Sequence, residues 1–221
     1  MNIYFVRHGE STENRGDAPR PYPPITELGR EQARRAAEAL KDRGIVRLYC
    51  SPMRRNLMTA AFVAEALDLP PHVLPELSEY GGIWPRDFGD GLVQGHGLTR
   101  TEILSICPNA ILSEGITDEG WWFHEFRGDT PELAAFWEEQ VARLWKTLFE
   151  RHKANGETIA LVGHGRSGSI LVSAFLGLPM ERGWTRFGHH NCGITHMQIR
   201  DGHRRIVFAN RTCHLTPDML T

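Results

Sequence analysis

Short apolar runs that alternate with helical patterns narrow the fold of this 221-residue chain more than any other feature. Ile3–Val6, Arg47–Cys50 and Thr158–Val162 are rich in β-favouring residues and too short to be helices. A helical pattern follows each of the first two runs, with Thr26 placed to cap the first helix and Ser51 the second. This alternation predicts a layered α/β fold with a largely parallel sheet.

The second half of the chain continues this pattern. Apolar residues recur every three or four positions after Thr130, which predicts a long helix that ends at Asn155. Ser167–Leu176 favours a further helix. Ile194–Ile199 and Arg205–Ala209 are typical of two late strands joined by an Asp-Gly turn.

The middle of the chain has weak periodicity and many glycine, proline and tryptophan residues. We therefore expect a single domain over residues 1–221, with an irregular insertion or lid at about 80–128. The aromatic residues that cluster in this insertion are Trp84, Trp121, Trp122, Phe123 and Phe126. They either line a pocket for an apolar leaving group or anchor the insertion to the body. We favour anchoring, because most aromatic residues serve packing.

Composition excludes several classes of function. The chain has 25 Lys+Arg and 27 Asp+Glu without a basic block, so nothing favours a nucleic acid or a membrane surface as partner. No apolar run approaches the length of about 18 residues that a membrane span needs, and the first residues do not resemble a signal peptide. The four cysteines are far apart, which is typical of reduced thiols, so we expect a cytoplasmic protein. No heptad or edge pattern indicates an oligomeric state.

Two segments of the sequence repeat one another. Phe5–Ser11 reads FVRHGES and Leu161–Ser167 reads LVGHGRS, so each apolar strand delivers a histidine, His8 or His164, that is followed by glycine. Ligands of open α/β sheets bind outside the carboxyl ends of the strands, so we expect the two histidines in one crevice. The glycines let a ligand approach the backbone closely.

Two arginines are predicted to join these histidines. Arg7 directly precedes His8, and Arg55 lies in the first turn of the helix that follows the second strand. A guanidinium group stays charged and matches the oxygens of a phosphate with two donors. Each residue alone is compatible with an ordinary loop or surface position. Together, two arginines and two histidines predict a pocket for a dianion.

The segments around these residues resemble the motifs of the histidine phosphatase superfamily, also called phosphoglycerate mutase-like. The resemblance covers about residues 3–80 and 158–199 and follows the order of the family. The matching segments are Arg7–Asn14 (RHGESTEN), Ile25–Ala33 (ITELGREQA), Ser51–Ala60 (SPMRRNLMTA), Pro75–Glu79 (PELSE), Val162–Gly165 (VGHG) and Asn191–Thr195 (NCGIT). The resemblance implies a three-layer sandwich with a mostly parallel central sheet and a small phosphorylated metabolite as substrate.

The resemblance also implies a mechanism. His8 would accept the phosphoryl group as a covalent phosphohistidine, and the chain would be a phosphomonoester hydrolase. Arg7, Arg55 and His164 would bind the phosphoryl oxygens, so we expect neither a metal nor a cofactor. Further phosphate contacts are predicted at Asn14, Ser11 and Gly165. The sequence His189-His190-x-Cys192 lacks the spacing and the fourth ligand of a metal site.

The general acid is predicted to be Glu79, although Glu76 also fits an L-x-E pattern. We favour Glu79 because it begins the sequence Glu-Tyr-Gly-Gly, which resembles a variant of the family motif. The acid would protonate the leaving oxygen and then activate a water molecule.

Two alternatives to a phosphatase remain at this point. The first is phosphoryl transfer of the phosphoglycerate mutase type. In the mutases of this family, a pair of arginines in the insertion binds the substrate carboxylate. This chain has only the separated Arg86, Arg100 and Arg127 there, which disfavours a mutase. The second alternative is a phosphate-binding protein without catalysis, since a fold alone does not establish an activity.

Overall fold

Most of the chain is described by a computed structural model, in ranges separated by short gaps. The described residues are 1–17, 22–83, 86–87, 92–93, 95–124, 130–178 and 186–221. None of the helices in these ranges is both long enough and apolar enough to cross a membrane.

The structure contains nine described strands and six described α-helices. The strands are β1 (Asn2–Arg7), β2 (Ile45–Cys50), β3 (Pro71–Val73), β4 (Arg86–Asp87), β5 (Leu92–Val93), β6 (Ile111–Leu112), β7 (Thr158–Gly163), β8 (Ile194–Arg200) and β9 (His203–Arg211). The helices are α1 (Thr12–Arg15), α2 (Glu27–Leu40), α3 (Arg54–Leu67), α4 (Arg100–Ile106), α5 (Pro131–His152) and α6 (Gly165–Leu176). Short 3₁₀ turns cover Pro75–Leu77 and Pro217–Met219.

Seven of the strands form one sheet in the order β6-β3-β2-β7-β1-β8-β9. The strands from β6 to β1 pair in parallel, whereas β8 is antiparallel to both of its neighbours. The strands β4 and β5 form a separate antiparallel pair. These pairings confirm the predicted α/β fold with a mostly parallel central sheet flanked by helices.

Helices cover both faces of the sheet and form two clusters with it; α5 contributes to both, since Leu133 and Trp137 lie in the first. Alternate residues of β1 point to opposite sides, so Val6 packs in a cluster with α2 and α3, whereas Phe5 packs in a cluster with α5 and α6. Trp145 of α5 and Phe175 of α6 lie in the second cluster with ring centroids 5.6 Å apart. Burial of each large apolar side chain contributes about 1.5–3 kcal/mol relative to exposure. Both faces of the sheet are therefore covered by helices, and a ligand can reach the sheet at the carboxyl ends of its strands.

Most of the predicted helices and strands are present, and α3 shows where a prediction was wrong. Ser51 does not cap this helix, because its amide donates to the carbonyl oxygen of Val162 and continues the pairing of β2 with β7. The helix begins at Arg54 after the N-cap Met53. The Ser51 side chain remains available for another partner. The long helix α5, in contrast, has the predicted N-cap Thr130.

The segment predicted as an insertion packs two tryptophans into the core. Trp121 and Trp122 are both buried in the cluster that contains α2 and α3, and the Trp122 ring lies 5.8 Å from that of Phe136 in α5, between centroids. These contacts agree with the predicted anchoring of the aromatic residues to the body. Gly82 and Gly97 lie in the same segment, and a Cβ added to either would lie about 2 Å from one of the two indole rings. Phe123 is exposed. The remaining aromatic residues of the cluster, at positions 84 and 126, lie outside the described residues.

Two glycines bring the loop after β1 against the start of α2. A Cβ added to Gly29 would lie 2.2 Å from the carbonyl oxygen of Glu10, and one added to Gly9 would lie 2.4 Å from the carbonyl oxygen of Gly29. Gln32 continues the contact, because its Oε1 accepts the amide of Glu10 at 2.7 Å. Thr26, the predicted N-cap of α2, donates its hydroxyl to the Glu10 carboxylate at 2.7 Å. The loop that carries His8 therefore rests on α2.

We expect the substitution Gly29→Ala to lower the free energy of unfolding by about 1–3 kcal/mol, because the added methyl meets backbone atoms that cannot rotate away. Gly115→Ala is a matched control, since a Cβ there meets nothing within 4 Å. Urea denaturation of both variants measures the difference. Equal stabilities would contradict the close packing of the loop on α2.

Candidate active site

The site lies at the carboxyl ends of β1, β7 and β2, which are adjacent in the sheet. Arg7 at the end of β1 is opposite Gly163 at the end of β7, and Cys50 at the end of β2 is opposite Val162. The next residues along the three strands are His8, His164 and Ser51. The rings of the two histidines are 5.2 Å apart between centroids, in an edge-on arrangement.

The contacts of His8 assign its tautomer. Its Nδ1 lies 2.8 Å from the carbonyl oxygen of Gly9, which can only accept a hydrogen bond. Its Nε2 lies 3.1 Å from Nε of Arg55, which can only donate. The neutral ring therefore carries its proton on Nδ1 and has the lone pair on Nε2. This nitrogen is the one that can attack phosphorus.

The surroundings of His8 keep it neutral. The side chain is buried, and burial is the largest cause that holds its pKa well below the usual value. The positive charges of Arg55 and Arg7 lower the pKa further. The two guanidinium groups that would attract an anion thus also favour the unprotonated form of His8.

His164 is held in place by Ser51. Its Nε2 lies 2.9 Å from the Ser51 hydroxyl, which also accepts the amide of Met53 at 3.2 Å. Burial, followed by the charge of Arg55, holds the pKa of His164 well below its usual value. Its Nδ1 is buried and has no hydrogen-bond partner within the described ranges. A buried polar atom without a protein partner at this edge of the sheet is available to a ligand atom.

Arg7 provides a second buried atom of this kind. One of its terminal nitrogens donates to the carbonyl oxygen of His189 at 2.6 Å, whereas its Nε has no partner among the residues that the structure covers. Burial lowers the pKa of Arg7, and the nearby Glu79 opposes this effect. A Cβ added to Gly165 would lie 3.4 Å from this Nε, so the first residue of α6 adjoins the guanidinium.

Arg55 faces the nucleophile from the first turn of α3. In addition to the bond from its Nε to His8, one terminal nitrogen lies 3.8 Å from the carboxylate of Glu13. Its side chain is mostly buried, with 12% exposed. The four residues predicted to form a dianion pocket, Arg7, His8, Arg55 and His164, are thus brought together in the structure.

Glu79 reaches this edge of the sheet from the loop after β3. Its Oε1 accepts the amides of Tyr80 and Ser167, both at 2.9 Å. Ser167 lies in the first turn of α6, three residues after His164. No hydrogen bond or ion pair is observed between Glu76 and the described residues of the site. Of the two candidate acids, the geometry places Glu79 beside the pocket.

Asn14 and Ser11 form the cap of α1. The Ser11 hydroxyl is bound to Asn14, and its side chain is fully buried. The prediction that Ser11 contacts phosphate is therefore not supported, because its hydroxyl is already used for capping. The Asn14 Oδ1 is also occupied, since it accepts from Ser11 and from Nδ2 of Asn191 at 3.2 Å. Its exposed amide group is the part that can reach a ligand.

Three positioning residues were missed by the sequence reasoning. The side-chain amide of Asn191 donates a hydrogen bond of 2.8 Å to the carbonyl oxygen of His8. Thr59 accepts the amide of Gly9 and donates to the carbonyl oxygen of Arg55. Asn56 donates 2.7 Å to the carbonyl oxygen of Gly163. Asn56 and Thr59 lie within the third matching segment, Ser51–Ala60, and their placement one and four residues after Arg55 was the available signal.

The described residues contain no group of three or more histidine, cysteine, aspartate or glutamate residues that could hold a metal ion. All four cysteines are free. Arg100 donates to the carbonyl oxygen of Ile116 at 2.9 Å, so this arginine of the insertion is engaged by the backbone. Arg127 and the side chain of Arg86 lie outside the described part of the chain.

The chain is similar to curated proteins along most of its length. It is 40% identical over 190 residues to the adenosylcobalamin/alpha-ribazole phosphatase of Salmonella typhimurium, which covers 83% of this chain and 84% of the relative. It is 27% identical over 208 residues to a protein of Yersinia pestis named "Probable phosphoglycerate mutase GpmB", with 91% of this chain and 86% of the relative covered.

A solved structure supports the same fold. The alpha-ribazole phosphatase of Shigella flexneri superimposes with a TM-score of 0.65 over 96% of both chains, at 21% identity. The family model of the histidine phosphatase superfamily (branch 1) matches residues 3–212, which include every residue of the pocket described above. The chain belongs to the histidine phosphatase superfamily, branch 1.

Proposed function

We propose that the chain hydrolyses a small phosphomonoester through a phosphohistidine formed on Nε2 of His8. The observation that carries this proposal is the pair of contacts that fixes the lone pair of His8 on Nε2, beside Arg55. The buried, unpaired Nε of Arg7 supplies a donor for the phosphoryl oxygens, and neutral His164 supplies a second from Nδ1 when its Nε2 accepts from the Ser51 hydroxyl. Such donors act on the charge that spreads over these oxygens during transfer.

The first step forms the bond between Nε2 of His8 and phosphorus and breaks the bond from phosphorus to the leaving oxygen. Arg55 must first turn its Nε away from His8, since the lone pair that accepts this hydrogen bond is the one that attacks. Glu79 would give the proton to the leaving oxygen from Oε2, because Oε1 is held by two amides. The phosphoryl group then resides on His8.

The second step transfers the phosphoryl group to water. Glu79 takes a proton from the attacking water molecule, the bond from nitrogen to phosphorus breaks, and His8 recovers its lone pair. The hydrogen bond from Nδ1 of His8 to Gly9 keeps the ring in one orientation through both steps. Inorganic phosphate leaves last.

The relative of highest identity above is named for alpha-ribazole, so alpha-ribazole 5′-phosphate is the substrate to test first. Its phosphate is carried by an alkyl oxygen, a poor leaving group for which an acid matters. Phosphoglycerate mutase activity is the second candidate because a 27% identical relative bears that name. The engagement of Arg100 by the backbone disfavours it, since a mutase needs arginines for the substrate carboxylate.

We expect His8→Ala to lower the hydrolysis of p-nitrophenyl phosphate and alpha-ribazole 5′-phosphate by at least about 10³-fold, because the nucleophile is lost. The assay is run in excess EDTA from pH 5 to 8. The control His203→Ala alters an exposed histidine of β9 and should leave the rate unchanged.

The same assay separates the alternatives. Hydrolysis that survives in His8→Ala would contradict the proposed nucleophile. Wild-type protein that binds phosphate without turnover would favour a binding protein. Isomerisation of phosphoglycerate in place of hydrolysis would favour a mutase.

We expect Glu79→Gln to slow hydrolysis of alpha-ribazole 5′-phosphate by about 10²–10⁴-fold, the range of general acid catalysis. p-Nitrophenyl phosphate needs little protonation of its leaving group. It should therefore still give a burst of product, followed by slow turnover. Glu76→Gln is the matched control, with an expected rate near that of the wild type. The assignment of the acid would be reversed if Glu76→Gln were the slow variant.

The titration of His8 provides a test that does not depend on turnover. Burial and the two arginines disfavour the charged ring, so its pKa should lie below the ordinary value of about 6.5. Arg55→Gln removes the charge that, after burial, lowers the pKa of His8 most, so this pKa should rise. Burial should still keep it below 6.5. ¹⁵N NMR of the histidine ring measures both midpoints.

Arg54→Gln is the matched control for this titration. Arg54 lines an outer groove with Met58 and Phe62, so the loss of its charge should move the midpoint of His8 less than the loss of Arg55. A wild-type midpoint above 6.5, or equal shifts in the two variants, would contradict the geometry.

A further inference from the structure

Arg55 contacts both His8 and Glu13, and the proposed mechanism uses only the contact with His8. Its Nε donates to Nε2 of His8, and one of its terminal nitrogens lies 3.8 Å from the carboxylate of Glu13. We infer that Glu13 competes with phosphoryl groups for Arg55 and thereby weakens the binding of the product, inorganic phosphate. This inference rests on the proposed function and adds a residue that sets the affinity of the same site for phosphate.

The position of Glu13 is fixed by its backbone. It lies in α1, between the two residues that close this short helix, because the Ser11 hydroxyl accepts the amide of Asn14 and the Asn14 Oδ1 accepts the amide of Ser11. Thr12 also donates its amide to the carbonyl oxygen of Pro24. A carboxylate on such a segment cannot easily leave the mouth of the pocket.

The attack on phosphorus forces Arg55 to change partners. Its Nε must leave the lone pair of His8, and the guanidinium must turn toward the phosphoryl oxygens. Glu13 is 40% exposed, so its attraction for Arg55 is screened by water and is modest. The same carboxylate repels a dianion that approaches this guanidinium. Both effects oppose binding of a phosphoryl group.

The consequence differs between substrate and product. Inorganic phosphate is bound through its oxygens alone, whereas a phosphomonoester also has a leaving group that makes contacts of its own. A carboxylate that weakens the hold of Arg55 lowers the affinity of both, and the product has no leaving-group contacts that offset the loss. Glu79 contacts α6 and is the proposed acid, whereas Glu13 contacts Arg55 and has no part in the proposed proton transfers, so the charge of Glu13 can be removed without removing the acid.

The test is the dissociation constant of inorganic phosphate, measured by isothermal titration calorimetry at fixed pH and low salt. We expect Glu13→Gln to bind phosphate about 2- to 5-fold more tightly than the wild type, the range for a partly exposed ion pair. Glu13→Asp retains the charge and should stay closer to the wild type. The increase in phosphate affinity caused by Glu13→Gln should become smaller as salt is added, because salt screens exposed charges.

Glu27→Gln is the matched control. It makes the same chemical change in an exposed glutamate that lies 3.3 Å from Arg30 on α2, and it should not alter phosphate binding. Inhibition of p-nitrophenyl phosphate hydrolysis by phosphate should follow the same order of variants. Thermal melting of each variant shows whether it is folded, and a structural role alone would not tighten phosphate binding.

The outcomes separate this inference from the proposed function. Phosphate binding that is unchanged or weaker in Glu13→Gln, with hydrolysis intact in the wild type, would overturn the role of Glu13 alone. Weaker binding would mean that Glu13 positions Arg55 for phosphate. Wild-type protein that neither binds phosphate nor hydrolyses an ester would overturn the proposed function and this inference with it.

Discussion

The parallel register of β1 against β7 is the constraint on which the rest of the site depends. Arg7 lies opposite Gly163, and the amide of His8 extends the ladder with a 2.9 Å hydrogen bond to the carbonyl oxygen of Gly163. His8 and His164 therefore leave the sheet at the same level. A slip of one residue would turn the side chains of β1 to the opposite faces, so the packing of Val6 and Phe5 on different faces also fixes the histidines.

Burial and charge act together in this pocket. A buried imidazole surrounded by two guanidinium groups has a strong electrostatic reason to remain neutral, and a neutral imidazole is the form that can attack phosphorus. The pocket thus combines positive charge with an unprotonated imidazole, as the proposed attack by His8 requires. Arg55 also donates to the lone pair on Nε2 of His8, so in the proposed mechanism the group that attracts the phosphate covers the nucleophile until it is displaced.

Helices and strands that have a clear local pattern could be predicted from the sequence. Hydrogen-bond partners that come from distant parts of the chain could not. The strands that deliver His8 and His164 could be recognised because each is an apolar run followed by a histidine and a glycine. Ser51 was interpreted as a helix cap because serine before proline favours that role. Its amide instead continues a strand pairing, and its hydroxyl binds His164. Asn191 could not be assigned, since its contact with His8 spans 183 positions along the chain.

The capping of the short helix α1 determines which of its side chains are available to the pocket. The cap formed by Ser11 and Asn14 uses the hydroxyl that the motif resemblance assigned to phosphate. These hydrogen bonds define where the Glu13 side chain begins, and its carboxylate lies near Arg55. A phosphatase has to release inorganic phosphate after every turnover, whereas a mutase returns the phosphoryl group to its substrate. An acidic group beside the arginine that we propose to bind phosphate therefore suits hydrolysis better than retention of the phosphoryl group.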